Sequence, residues 1–278
     1  MDVWHVAAAL ASALLHAGWN AAVKASPQPK EAMTAQMLTS AALVVPGLLW
    51  TGLPAPASWI WIAASTALNV ATVTALLRAY ELFGFGLVYP VVRALSVLLV
   101  VPLAAALSGE TLSPAGLAGI GLVSASLLLL AIGNARQSAV PRLALCWIVI
   151  AGIATAAYVM CDAQGVRHAG SPWAYGFAVS VTNATAMSWM QGSARRPRRI
   201  VAAHAAIAVP MAIAAVTSYL LILWVWSGAP IAPAAALRDT SAVFALVIAI
   251  VWLKEPLTRL RLYAILLSTA AVPLLRFA

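Results

Sequence analysis

Two stretches of this chain, "VVRALSVLLVVPLAAALSGETLS" at 91–113 and "ALRDTSAVFALVIAIVWLKEPLT" at 236–258, align without a gap. The shift is 145 residues (236 − 91). Arg93 falls on Arg238, Glu110 on Glu255, Leu112 on Leu257 and Ser113 on Thr258. In each copy an arginine opens an apolar run that a Glu-x-Leu-Ser/Thr turn closes. Charge is scarce in such runs, so its recurrence in register marks two copies of one membrane unit.

Working outward, the composition agrees. Hydrophobic residues make up 64% of the 278, charged residues 8%, and mean hydropathy is +0.97. A soluble domain of this length lacks the interior to bury so much apolar surface. The pattern breaks into ten apolar stretches, near 3–23, 33–51, 58–79, 86–107, 114–133, 142–163, 171–190, 202–226, 232–253 and 259–277. Each approaches the ~20 residues that cross a bilayer. Hydrocarbon offers backbone groups no partner and period-2 alternation is absent, so the spans are read as helices rather than barrel strands.

The fold class expected is therefore all-α integral membrane, with ten transmembrane helices in two five-helix repeats, 1–134 and 142–278. Five is odd, so the second repeat enters the bilayer inverted relative to the first. Met1-Asp2-Val3 lacks a basic leader, and the repeat needs span 1 as the partner of span 6. Span 1 is thus read as a mature helix and not a signal peptide.

Net charge +9 does not point to nucleic acid, because the charges flank spans. Numbered from the N-terminus, the odd connections and their helix ends hold 12 of the 16 basic residues: Lys24, Lys30, Arg78, Arg136, Arg142, Arg195, Arg196, Arg198, Arg199, Lys254, Arg259 and Arg261. The opposite face holds Arg167 and Arg276. This bias predicts cytoplasmic odd connections and both termini outside, in a multi-pass protein of the cell (inner) membrane.

Ionisable groups inside the bilayer cost about 2.5–3.5 kcal/mol each and need a reason. Arg93 and Arg238 each fall some six residues into a span. They either line a central cavity, one toward each mouth, or are neutralised by Asp239, Asp162 or Glu81. Asp162 is read as a proton-coupling site, a ligand for a substrate cation or a salt-bridge partner. Asp239 points about 100° round the helix from Arg238, so the two do not pair directly. His16 and Asn20 share a face of span 1, and Asn20 must find hydrogen bonds from a neighbouring helix or a solute. Trp19 and Tyr158 offer aromatic walls, and the proline of Tyr89-Pro90 frees backbone carbonyls, marking span 4 as a cavity wall.

Other residues read as structural. Glu110 and Glu255 are expected to fix turns by accepting amides near the next helix. Cys146 and Cys161 lie too far apart along span 6 to bridge. Asn183-Ala-Thr185 matches a glycosylation acceptor but sits mid-span. Gly116, Gly119 and Gly121 give span 5 a small-residue face, expected to pack within the monomer, with a homodimer as the alternative.

These motifs resemble the EamA-type family of the drug/metabolite transporter (DMT) superfamily along nearly the whole chain. The segments that carry the likeness are "LLHAGWNAAVKAS" at 14–26, "AYELFGFGLVYPVVRAL" at 79–95, "SGETLSPAGLAGIGLV" at 108–123, "AYVMCDAQGVRHAGSP" at 157–172 and "LRDTSAVFALVIAIVWLKEPLT" at 237–258. The resemblance implies a central cavity lined mainly by helices 1, 3, 4, 6, 8 and 9 and working by alternating access. It implies that Trp19, Asn20, Tyr89, Arg93, Tyr158, Asp162 and Arg238 face that cavity. The chain departs from the family pattern at Glu81, at Asp162-Ala163 and at Asp239.

The function expected is secondary transport of a small polar metabolite or drug, outward or by exchange; import of a carboxylate- or phosphonate-bearing metabolite is the alternative. Candidate substrate-binding residues are His16, Trp19, Asn20, Tyr89, Arg93, Tyr158, Asp162, Arg238 and Asp239. No nucleotide-binding loop occurs, so a proton gradient or exchange supplies the energy. The partners are then the solute, the lipid bilayer and protons, with no cofactor. His5, His16, His168 and His204 are scattered, with no metal or nucleophile motif, which argues against a membrane enzyme.

Overall fold

A computed structural model describes residues 1–83, 85–135, 140–190, 197–251 and 256–278. The helices are α1 (Val3–Ala25), α2 (Pro29–Thr51), α3 (Trp59–Leu82), α4 (Phe85–Ser108), α5 (Pro114–Ala135), α6 (Arg142–His168), α7 (Pro172–Met190), α8 (Pro197–Gly228), α9 (Ile231–Asp239), α10 (Ser241–Val251) and α11 (Arg259–Arg276). No strand occurs among the described residues. Eight helical segments are long and apolar enough to cross a membrane, with α9 and α10 counted as one; α7 and α11 are not among them. Arg136, Arg195, Arg196, Lys254 and Glu255, used above for topology and the second turn, lie outside the described residues.

The outer surface carries large apolar side chains: Trp50 is 90% exposed, Trp189 81% and Leu49 80%. Water would penalise such a surface, whereas lipid tails do not. Helix starts follow local chemistry. Asp2 accepts the His5 amide at 2.8 Å, which holds its carboxyl below the usual range. Ser113 accepts the Gly116 amide at 3.1 Å, and Thr258 the Arg261 amide at 3.4 Å, so hydroxyls from the two aligned turns cap α5 and α11.

Helix α6 outruns the predicted span because its polar residues find partners instead of ending the helix. In α6, Gln164 Nε2 donates to Ser108 Oγ at 2.6 Å, and Arg167 donates to the Trp226 and Ala229 carbonyls, both at 2.9 Å. Asp162 consequently lies well inside the helix, not near its end. The predicted ninth span is broken at Thr240, between α9 and α10. Three successive residues here, Asp239, Thr240 and Ser241, carry side chains that compete with helical bonding, and Thr240 Oγ1 takes the Leu237 carbonyl at 2.6 Å. All nine residues of α9 are buried.

The most extensive packing joins α3 to α6, α5 to α11, α2 to α7 and α8, α1 to α8, and α4 to α5 and α6. The small face of α5 serves the α5–α11 contact. A methyl at Gly116 would come 2.6 Å from Ala278, and one at Gly119 would come 2.8 Å from Leu275. Gly121 faces open space. Packing inside the monomer therefore explains two of the three glycines.

Candidate functional site

A cavity of about 520 Å³ occupies the middle of the bundle. Its lining runs from Asp162 and Arg238 to Val23 and Pro29 beside the first connection and to Leu77 and Tyr80 near the third. It thus extends toward the odd-connection end. Of the nine residues picked out from the sequence, eight line it: His16, Trp19, Asn20, Tyr89, Arg93, Tyr158, Asp162 and Arg238. Asp239 stands behind the wall, 5% exposed.

Arg93 is neutralised. Its Nη1 donates to Asp239 Oδ1 at 2.9 Å, its Nη2 lies 2.9 Å from His16 Nε2, and its guanidinium lies 5.2 Å from the centre of the Tyr89 ring. Of the three candidate carboxylates, Asp239 is its partner. Glu81 pairs with Arg78 at 3.1 Å on the surface. Trp19 meets the His16 ring edge-on, 5.1 Å between centroids. Asn20 finds a hydrogen bond in its own helix, Nδ2 to the His16 carbonyl at 2.8 Å, and not on a neighbour.

Asp162 has no arginine beside its oxygens. Oδ1 accepts from Ser65 at 2.5 Å and from Tyr175 at 3.2 Å, and Oδ2 accepts from Tyr219 at 2.8 Å. Three hydroxyl donors satisfy the carboxylate in place of a salt bridge. Gly165 makes room for this: a Cβ there would collide with the Tyr175 ring and hydroxyl.

Arg238 is the exception. It is 7% exposed, lines the cavity, and its Nε and Nη1 are buried without a hydrogen-bond partner. Its guanidinium stacks on the Trp226 ring, 5.6 Å away, and makes no salt bridge among the described residues, although the Asp162 and Asp239 carboxylates act on it through space. Both arginines line the same cavity, and Asp239, next in sequence to Arg238, binds Arg93. Helices α2 and α7 also contribute, through Gln36, Ser40, Ser180 and Asn183, beyond the helices the resemblance implies. Asn69 and Asn183 could have been found by the argument applied to Asn20, since an amide at membrane depth needs a reason. The roles of Ser65, Tyr175 and Tyr219 carried no such signal; hydroxyls are common in helices.

The opposite end of the bundle is tied together by hydrogen bonds and an ion pair. Glu110 does not serve its own next helix but the distant α9, accepting the Ile231 amide at 2.8 and 2.9 Å and the Ala232 amide at 3.4 Å. Gly109, at φ 65°, supplies the left-handed turn that directs the chain there. Arg167 adds an ion pair to Glu110 at 3.4 Å. The Met1 ammonium donates to the Arg276 carbonyl at 2.6 Å and the Ala55 amide to the Ala169 carbonyl at 3.1 Å.

The fold and surface define a polytopic helical membrane protein with a polar-bottomed central cavity. No family model and no curated protein matches the chain. A solved structure described as "Crystal structure of protein" is similar in fold, with a TM-score of 0.77 over 97% of this chain and 94% of that one, at 14% identity.

Proposed function

We propose that this chain is a secondary transporter of the EamA type, moving a small polar solute across the cell membrane by alternating access, outward or by exchange. The carrying observation is the cavity itself: it reaches the odd-connection end of the bundle and ends at ionisable groups from both halves, and Glu110 and Arg167 tie the opposite end together. With odd connections cytoplasmic, this is an inward-open state.

Three further observations support ten spans in two inverted repeats. The 145-residue shift carries Pro114, the first residue of α5, onto Arg259, the first of α11. It carries Phe85, the first of α4, onto the residue before Ile231 of α9. Exchanging the halves turns the α3–α6 contact into α8–α1, α2–α8 into α7–α3, and α4–α6 into α9–α1, and each of these contacts exists. The ninth span is interrupted for one residue, Thr240, beside Arg238 and Asp239, where the bonding tightens to i→i+3. No nucleotide-binding loop is present in the sequence, so a proton gradient or exchange drives the cycle.

The test is two-sided access. With Cys146 and Cys161 replaced by Ser, an Ala215→Cys variant places one thiol on the cavity wall. A membrane-impermeant maleimide should label it from both faces, in right-side-out and inverted vesicles. Labelling from the odd-connection face alone would refute alternating access.

A further inference from the structure

The charges around the cavity select a solute chemistry. We infer that the cavity takes an organic anion, one carboxylate or phosphonate head on an apolar body, and that Arg238 is the residue that binds the head. This rests on the transport reading, which concerns the same cavity.

Each other charge near the cavity is already satisfied. Arg93 spends its two terminal nitrogens on Asp239 and His16. Asp162 is 1% exposed and has both oxygens taken by hydroxyls, so it offers nothing to a solute ammonium. Asp162 is also the one carboxylate in the lining. A zwitterion or cation would therefore bring an amine that meets no free acidic group.

Arg238 is in the reverse position. A cation 7% exposed, with two buried nitrogens that find no hydrogen bond and no salt bridge among the described residues, is a costly arrangement that the more distant Asp162 and Asp239 relieve only in part. A guanidinium offers donors in a fixed fork that matches a carboxylate or phosphonate. Trp226 contributes only a ring face, which holds the group in place without neutralising it. Two more unpartnered polar atoms belong to residues of the lining, Thr72 Oγ1 and Asn183 Oδ1. They would meet a hydroxyl or amide on the body of the solute. Trp19, Met33, Met37 and Tyr158 supply apolar wall, and about 520 Å³ holds a metabolite-sized molecule.

The experiment uses the detergent-purified full chain and four probes sharing one phenyl body: phenylbutyrate, phenylbutanol, phenylbutylamine and phenylalanine. Phenylphosphonate serves as a second anionic head. Titration calorimetry should show an anion binding at least about ten-fold more tightly than the alcohol, the amine or the amino acid. Arg238→Met should weaken anion binding by about ten-fold or more, and Arg238→Lys, which keeps the charge, should retain part of it.

Equal binding of the amine or the amino acid overturns the inference. So does anion binding that survives Arg238→Met, or no binding of either anion at about 10 mM, the weak limit of useful affinity. The vesicle labelling keeps the two readings apart. Anion binding with one-sided labelling leaves the site and removes transport; two-sided labelling without anion binding does the opposite.

Discussion

Arg93 in α4 and Arg238 in α9 occupy the same place in the two aligned segments, and both line one cavity. Arg93 has a carboxylate at 2.9 Å and an imidazole at 2.9 Å; Arg238 has an aromatic face and two orphaned nitrogens. The difference comes from one residue. Asp239 follows Arg238 but is turned about 100° round the helix, which sends it to the other arginine. A single aspartate thus makes one member of the pair structural and leaves the other with nitrogens that find no hydrogen bond. Duplicated positions need not keep duplicated roles.

The largest expected effect comes from breaking the satisfied member. Asp239→Asn strands a buried guanidinium and should lower stability by about 3–5 kcal/mol, read as a fall in the detergent melting temperature. Adding Arg93→Met to that variant should recover most of the loss. If the single and double variants melt together, the ion pair carries no coupling.

Arg238→Met should act in the opposite direction. Removing a buried charge whose nitrogens find no hydrogen bond is expected to raise thermal stability in the absence of solute, by about 2 kcal/mol. A large destabilisation instead would mean that Arg238 is held by a structural partner, and the contrast between the arginines would collapse.

Much of this frame is legible in the sequence. The class, the helical spans, the two arginines and the turns that end at Ser113 and Thr258 follow from hydropathy, repeat register and local chemistry. What is not legible is pairing. Asp239, Asp162 and Glu81 were equal candidates as partners for the arginines, because partner choice depends on packing between segments 146 residues apart. The break at Thr240 was hidden for a different reason: a nine-residue and an eleven-residue helix, laid end to end, have the hydropathy of one span. Glu110 was read as a local cap because its reach to α9 exists only in three dimensions.

A smaller effect probes the carboxylate that does not pair with Arg238. Tyr219→Phe removes one of three hydroxyl donors to Asp162 and should cost about 1.5–3 kcal/mol, again by melting temperature. An unchanged melting point would indicate that Ser65 and Tyr175 suffice. The smallest effect concerns the aromatic face. Trp226 is fully buried, so Trp226→Phe also opens space; the part of its cost due to the weakened attraction to Arg238 is expected to be about 0.5–1 kcal/mol. In Arg238→Met the same substitution should lose that electrostatic part, which a double-mutant cycle reads directly.

The Arg93–Asp239 bond also has a history within each molecule's synthesis. The two residues are 146 positions apart, so at a translation rate of about 5–20 residues per second the carboxylate is made roughly seven to thirty seconds after the arginine. During that interval α4 must enter the bilayer, or wait beside the insertion machinery, with its charge unanswered. A chain cut short before residue 239 keeps Arg93 but lacks the carboxylate that neutralises it, which the full-length chain supplies from its own second half.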